Sequence, residues 1–270
     1  MKRTSLVLLL IIVLASALRV VNISTNPPAI YWEEAALGYD AYSILKTAHD
    51  YHGNFLPILA FPSFGDYKPS LYFYAIVPFL AMFGQSTLAI RLPSALAGIV
   101  TVYLMYLIGK KVKDERFGLL AAGLFAIQPW SVHLSRVGFE ANFALMLVTA
   151  GVYFLLESKK KSIYIVISSI AFVLAMYAYH ADRIVAPLLA AWTALSFGLI
   201  KVNRWFVIAL TLAVLAIFPI VLNLKNPVIA QRAAETSILS GTALIEKSNV
   251  LREADGNTFI SKIFHHRFVV

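Results

Sequence analysis

The chain contains no cysteine and few charged residues. The absence of cysteine excludes a disulfide-bonded scaffold and any metal site that is built from thiolates. Only 14% of the residues are Asp, Glu, Lys or Arg, whereas 60% are hydrophobic and the mean hydropathy is +0.76. A soluble domain of 270 residues does not need this much apolar side chain to fill its core. The composition therefore indicates an integral membrane protein with several spans.

Several common functional motifs are also missing from the sequence. There is no phosphate-binding glycine loop, no His-Glu-x-x-His zinc motif and no regular internal repeat. The net charge of +9 would point to nucleic acid in a soluble protein. Here, however, the basic residues cluster in short connections between apolar runs, where they determine membrane topology. We therefore expect no nucleic-acid partner.

Seven apolar runs are long enough, or nearly long enough, to cross about 30 Å of hydrocarbon. The first covers Leu6–Ile23 and follows Lys2 and Arg3. It resembles a signal peptide, but its length favours an uncleaved first helix, with Arg19 snorkelling to the interface at its far end. The others are expected over Thr87–Ile108, Phe117–Leu134, Ala141–Leu156, Ser162–Tyr179, Ile184–Ile200 and Trp205–Leu224.

The distribution of basic residues predicts which ends of these spans share a side. Leu71–Phe83 is apolar but too short for a span, so it is predicted to be a re-entrant or interfacial helix. If it does not cross, all basic clusters fall on one side of the membrane. This predicts seven spans and a cytoplasmic N-terminus, with the basic clusters at Lys2/Arg3, Lys110/Lys111/Lys113/Arg116, Lys159/Lys160/Lys161 and Lys201/Arg204 on the cytoplasmic side.

The segment Tyr31–Ser70 is the one long interval between the early spans where acids, a lysine, aromatics and turn formers collect. Asn26-Pro27-Pro28 ends the first helix, because proline removes a donor and restricts the residue before it. Ala35–Ala48 has the spacing of a short amphipathic helix that lies on the bilayer. Glycines and prolines predict loops from there to the next apolar run, at Gly53, Pro57, Pro62 and Gly65.

The predicted topology brings charged residues from three connections to the extracytoplasmic face. Each one alone is equally well explained as a solvated charge at a helix end, but together they favour a substrate site. The candidate residues are Glu33, Glu34, Asp66 and Lys68 in the first connection, Arg136 and Glu140 in the second, and His180 and Arg183 in the third.

The order of several short motifs resembles the GT-C membrane glycosyltransferases, over about residues 1–225. The most similar group contains the protein O-mannosyltransferases and the lipid A aminoarabinose transferases. The motifs that carry the resemblance are Trp32-Glu33-Glu34, Gly65-Asp66-Tyr67-Lys68-Pro69, Phe83-Gly84, Arg91-Leu92-Pro93-Ser94, and Pro129 followed by Ser135-Arg136.

The resemblance implies an all-α, polytopic transmembrane bundle of GT-C type, whose first external loop, residues 24–86, carries juxtamembrane helices. It also implies inverting transfer of a sugar from a polyprenyl-phosphate donor to a protein, lipid or glycan acceptor. In that family the catalytic residue is the first acid of an Asp-Glu pair, and this position matches Glu33. Because the position holds Glu here instead of Asp, the choice between Glu33 and Glu34 as the base stays open. Glu140 lies near the position of a second acid in related proteins.

The residue types in these connections also suit sugar transfer when the resemblance is set aside. A single displacement needs a carboxylate that accepts the acceptor's proton and cations that stabilise the departing phosphate. Glu33 or Glu34 can supply the carboxylate. The cations are Lys68, Arg136, Arg183 and His180, of which the arginines suit bidentate phosphate contacts. A hydrolase with two carboxylates would use the same acids differently.

The sequence predicts a membrane domain over residues 1–224 and the start of an external loop over 225–270. Because the resembled proteins are longer, we expect this chain to be an N-terminal portion of such a protein. We expect it in a plasma or inner cell membrane, with the lipid bilayer and the lipid-linked sugar as partners. No cofactor or metal site is predicted, and a need for a divalent metal stays open. The alternatives are a transporter or lipid-carrier flippase, or an inactive truncated relative.

Overall fold

The computed structural model describes residues 3–64, 66–199 and 201–223, together with 250, 253, 254 and 256. Within these residues the chain forms ten α-helices and one β-hairpin. In chain order the elements are α1 (Arg3–Val20), α2 (Trp32–Thr47), β1 (Ala60–Ser63), β2 (Asp66–Pro69), α3 (Leu71–Phe83), α4 (Thr87–Val112), α5 (Glu115–Ile127), α6 (Pro129–Ser135), α7 (Glu140–Glu157), α8 (Tyr164–Ala178), α9 (Asp182–Ser196) and α10 (Arg204–Leu222).

The apolar helices make this a multi-pass membrane protein. Three described helices, α4, α7 and α10, are long and apolar enough to cross a membrane, and the bent pair α5 and α6 can form a fourth span. Three shorter apolar helices lie over Thr4–Val20, α3 and α8. The seven-span count and the orientation stay predictions.

Helix α4 packs against α1, α5 and α7, and α8 packs against α7, α9 and α10.

The chain divides into two compact units, Met1–Leu222 and Asn223–Val270. The first unit holds every helix and strand named above. The predicted external loop over 225–270 lies almost wholly outside the described residues.

The predicted span Phe117–Leu134 is wrong as a single straight helix. Helices α5 and α6 meet at an angle of 62° on either side of Gln128. Pro129 has no N–H to donate, and a residue before proline avoids the helical region. Gln128 accordingly has an extended ψ of 121°. The break leaves the last carbonyls of α5 without partners inside their own helix.

Arg19 supplies partners for these carbonyls, and its predicted snorkelling to the interface is wrong. The side chain is fully buried. Its guanidinium donates hydrogen bonds to the carbonyls of Phe125 and Ala126 at 3.2 and 2.9 Å. It also donates to the hydroxyls of Ser131 and Ser135 at 2.9 and 3.2 Å. A cation at the C-terminal end of α5 also complements the helix dipole. Arg19 thus fixes α1 to the broken span.

The segment that was predicted to be external is more ordered than the sequence predicted. Helix α2 begins at Trp32 rather than Ala35, so both glutamates lie in its first turn. The predicted loops over residues 60–69 instead form an antiparallel hairpin in which Phe61 pairs with Lys68. The hairpin is held on α3 by parallel stacking of Phe61 on Phe73, with ring centroids 4.0 Å apart. Helix α2 also packs against α3, so helices and hairpin form one platform.

Candidate active site

The two adjacent glutamates in α2 have different environments. Glu34 is fully buried and forms a bidentate ion pair with Arg91 of α4. The Arg91 Nε lies 2.8 Å from Oε1, and Nη2 lies 3.0 Å from Oε2. Consecutive helical residues point about 100° apart, so Glu33 faces a different direction. Arg91 occurs in one of the motifs that carried the resemblance, but the sequence did not predict it as a site residue.

The remaining hydrogen-bonding capacity of the buried pair is used by the main chain. The amide of Gly138 donates to Glu34 Oε1 at 2.7 Å, and the amide of Tyr31 donates to Oε2 at 2.9 Å. The Arg91 guanidinium also donates to three carbonyls, at distances from 2.8 to 2.9 Å, those of Ile23, Pro27 and Ala29. Glu34 and Arg91 therefore join α2, α4, the end of α1 and the connection before α7.

Glu33 carries the accessible carboxylate of the two. Its Oε1 accepts a hydrogen bond from Lys68 Nζ at 2.9 Å. The Glu33 side chain is 22% exposed, whereas the Lys68 side chain is 7% exposed. In the part of the chain that the structure describes, Oε2 of Glu33 has no hydrogen-bond partner. A carboxylate that is fixed through one oxygen and open at the other can accept a proton from a bound hydroxyl.

The connection between α8 and α9 contacts the hairpin that carries Lys68. The Nε2–H of His180, between α8 and α9, donates to the carbonyl of Tyr67 at 2.6 Å. Because a carbonyl only accepts, this bond requires the tautomer with the proton on Nε2. Tyr67 is the neighbour of Lys68 in β2. His180 thus places the start of α9 beside the strand that carries Lys68.

Arg183 lies in the first turn of α9. Its Nε and Nη2 atoms are buried and, among the described residues, have no hydrogen-bond partner. Buried guanidinium nitrogens without partners are costly, so this position favours an anion. The residue was predicted as a phosphate ligand, and its geometry is compatible with that role.

The other predicted arginine has a different environment. Arg136 follows α6 and donates to the carbonyl of Leu18 at 2.6 Å, that of Val21 at 2.8 Å, and that of Asn26 at 2.9 and 3.2 Å. Burial, together with the nearby charge of Arg91, lowers the pKa of Arg136 below its usual value. Most of the N–H donors of Arg136 therefore bind main-chain carbonyls at and after the end of α1.

The two remaining predicted acids lie at the starts of elements around the site. Asp66 opens β2, and its Oδ1 accepts the amide of Tyr67 at 2.7 Å. Glu140 opens α7, in the connection that also provides Gly138. Among the described residues, no three His, Asp or Glu side chains gather in an arrangement that could hold a metal ion.

Comparisons with known proteins concern the family and the fold of the chain. A family model described as dolichyl-phosphate-mannose-protein mannosyltransferase matches residues 9–228. No curated protein matches the chain. The crystal structure of the Archaeoglobus fulgidus oligosaccharyltransferase in the apo form is similar, with a TM-score of 0.60 and 18% identity. That match covers 80% of this chain and 29% of the oligosaccharyltransferase chain. The likeness shows the fold, which is of the GT-C type.

Proposed function

We propose that this chain, which belongs to the dolichyl-phosphate-mannose-protein mannosyltransferase family, carries the transfer site of a membrane glycosyltransferase. The donor is a polyprenyl-phosphate-linked sugar, and the acceptor is a hydroxyl of a protein, lipid or glycan at the extracytoplasmic face. The observation that carries the proposal is the accessible Glu33 carboxylate, which is held by Lys68 at 2.9 Å directly beside the buried pair of Glu34 and Arg91.

The chemistry is a single displacement at the anomeric carbon. The acceptor oxygen forms a bond to the anomeric carbon as the bond from that carbon to the phosphate oxygen breaks, which inverts the configuration. Glu33 Oε2 takes the proton of the acceptor hydroxyl. The electron pair of the broken bond leaves with the lipid phosphate, whose added negative charge is stabilised by nearby cations. Lys68 and Arg183 are the described cations that best meet this need.

An apolar groove lines α9 from Pro187 onward, one helical turn after Arg183. It has a volume of about 340 Å³ and lies between α8, α9 and α10. Its α9 wall consists of Pro187, Ala190, Ala191 and Ala194. These positions follow Arg183 at helical spacings of four, seven, eight and eleven residues, so they share its face of α9. A cation at one end of an apolar groove fits a lipid phosphate with its hydrocarbon chain, which supports a polyprenyl-phosphate donor.

Substitution of Arg183 is expected to weaken donor binding. Arg183→Ala removes a buried, charge-assisted contact of about 1.5–3 kcal/mol, which corresponds to a loss of affinity of about 10- to 150-fold. Arg183→Lys is expected to restore only part of this affinity, because an ammonium cannot replace a bidentate guanidinium. Binding of a labelled polyprenyl phosphate to purified variants measures the effect.

Arg136→Ala is the control, because its guanidinium binds main-chain carbonyls. We expect Arg136→Ala to lower the melting temperature, because four hydrogen bonds to main-chain carbonyls are lost. Donor affinity in the folded fraction is expected to stay within about twofold, because Arg136 does not line the groove. Normal donor affinity in Arg183→Ala, or a loss confined to Arg136→Ala, would contradict the assignment of Arg183.

The carrier alternative receives less support from the described residues. A carrier typically presents polar groups to its substrate near the middle of the membrane. The fully buried arginines Arg19 and Arg91 instead bind carbonyls, hydroxyls and one carboxylate of the chain itself. Incubating membranes that contain the protein with a panel of radiolabelled polyprenyl-phosphate sugars tests the function. Label transferred from the polyprenyl phosphate to a different acceptor molecule is expected, whereas label that only crosses the bilayer unchanged on its polyprenyl phosphate would contradict it.

A further inference from the structure

We propose that a second site, at the end of the bundle opposite to Glu33, binds the phosphate of an anionic membrane phospholipid. The site is a cavity of about 60 Å³ between the α7–α8 and α9–α10 connections. The polar side chains that line it belong to Ser158, Lys159, Ser162, Lys201 and Asn203. His180 and Arg183 lie at the other ends of α8 and α9. The cavity is therefore separate from the transfer site, and this proposal does not rest on the proposed function.

Among the described residues that line the cavity, the charge of the lysines is not balanced by an acid. Lys159 and Lys201 come from different connections and line the same small space, and the described lining contains no carboxylate. The nearest acid along the chain, Glu157, is already engaged by Lys111 at 2.8 Å and by Lys160 at 3.5 Å. Two like charges that share a cavity repel each other, and a bound anion relieves the repulsion.

The cavity also offers neutral donors that suit a phosphate. The Oδ1 of Asn203 accepts the amides of Trp205 and Phe206 at 3.0 Å each, which caps the start of α10. Since the side-chain carbonyl is used in this way, the NH₂ group of Asn203 is the part that remains for a ligand. The capped end of α10 carries the positive end of the helix dipole, which adds to the attraction for an anion.

The size and surroundings of the cavity favour a lipid headgroup as the source of the phosphate. A volume of about 60 Å³ is several times the roughly 10–15 Å³ that one water molecule needs, so the cavity can take a small polar group. Aromatic rings contact basic side chains of these connections: Lys159 Nζ lies 5.9 Å from the ring centre of Phe197, and the Arg204 guanidinium lies 5.0 Å from that of Trp205. Mixed aromatic and basic side chains are typical of the membrane interface, and basic pockets between helices there bind anionic headgroups.

Lipid retention in bilayer nanodiscs tests the proposal. We would compare wild type with the double variant Lys159→Ala/Lys201→Ala, by native mass spectrometry, in nanodiscs of phosphatidylcholine with a minor fraction of phosphatidylglycerol. Wild type is expected to retain phosphatidylglycerol, and the double variant to bind it roughly 30-fold more weakly, the loss expected for two lysine contacts to an anionic headgroup. Melting temperatures in pure phosphatidylcholine, expected to be equal, establish that the double variant is folded.

The matched control is Lys113→Ala/Arg116→Ala, which removes the same charge from an exposed connection. It is expected to retain phosphatidylglycerol as wild type does. Equal losses in both double variants would show diffuse attraction to the basic face and overturn the site, as would unchanged retention in Lys159→Ala/Lys201→Ala. A third arm adds inorganic phosphate at millimolar concentration to wild type. Displacement of the retained lipid by this phosphate would identify a free phosphate as the ligand and overturn the lipid assignment.

Discussion

Glu33→Gln is expected to lower the turnover of sugar transfer by about 10²–10⁴-fold, the usual contribution of a positioned general base. The amide keeps the size and hydrogen bonding of the side chain but cannot take the acceptor's proton. Donor binding is expected to change little, because the groove and Arg183 are untouched. Transfer of label from a polyprenyl-phosphate sugar, measured at saturating donor, gives the turnover directly.

Two companion variants distinguish Glu33 from its neighbour. Glu33→Asp keeps a carboxylate with a shorter reach and is expected to retain appreciable activity. Glu34→Gln is expected to lower the amount of folded protein, because it removes the charge that faces Arg91. Normal turnover in Glu33→Gln combined with a folded but inactive Glu34→Gln would move the base to Glu34.

Arg91→Met is expected to destabilise the protein by about 3–5 kcal/mol, the typical effect of leaving one member of a buried ion pair without its partner. The substitution leaves the Glu34 carboxylate without its bidentate partner and frees three carbonyls from their donors. Chemical unfolding in detergent measures the change. Arg116→Met is the control: the arginine is exposed in the first turn of α5, so its loss is expected to change stability by less than about 0.5 kcal/mol.

A double variant separates the ion pair from the other contacts of Arg91. Glu34→Gln combined with Arg91→Met removes both charges, so its effect is expected to be smaller than the sum of the two single effects. Full additivity, or a loss below about 1 kcal/mol in Arg91→Met, would contradict the view that this pair holds α2 in place.

The sequence predicted the membrane bundle and the polar segment that contains Glu33 and Glu34, because apolar runs and proline positions depend on local composition. It left Glu33 and Glu34 equivalent, since their difference depends on Arg91, which is 57 residues away from Glu34 in the sequence. One local signal was available: Glu34 is the third residue of α2, and its carboxylate accepts the amide of Tyr31, as in a capping box. This contact both starts the helix at Trp32 and turns Glu34 inward.

The arginines show a second limit of the sequence. Arg136 and Arg183 each occur in a short connection after an apolar run, and no local pattern separates them. The structure places Arg136 against carbonyls at the end of α1 and leaves two nitrogens of Arg183 without partners among the described residues.

The hairpin formed by β1 and β2 was missed for a similar reason. Its four-residue strands contain Pro62 and Pro69, which weaken a strand pattern, and packing of Phe61 on Phe73 stabilises it.

A single-turnover experiment tests the central claim most directly, that Glu33 acts as the base in sugar transfer from a lipid phosphate. Purified protein is loaded with a radiolabelled polyprenyl-phosphate sugar that it transfers in membranes, acceptor is added, and lipid-bound, acceptor-bound and free label are separated over time. Wild type is predicted to move the label to the acceptor with inverted configuration, while Glu33→Gln holds the loaded donor and transfers it at least about 100-fold more slowly. Equal transfer by Glu33→Gln, or release of the label as free sugar by wild type in the presence of acceptor, would contradict the account.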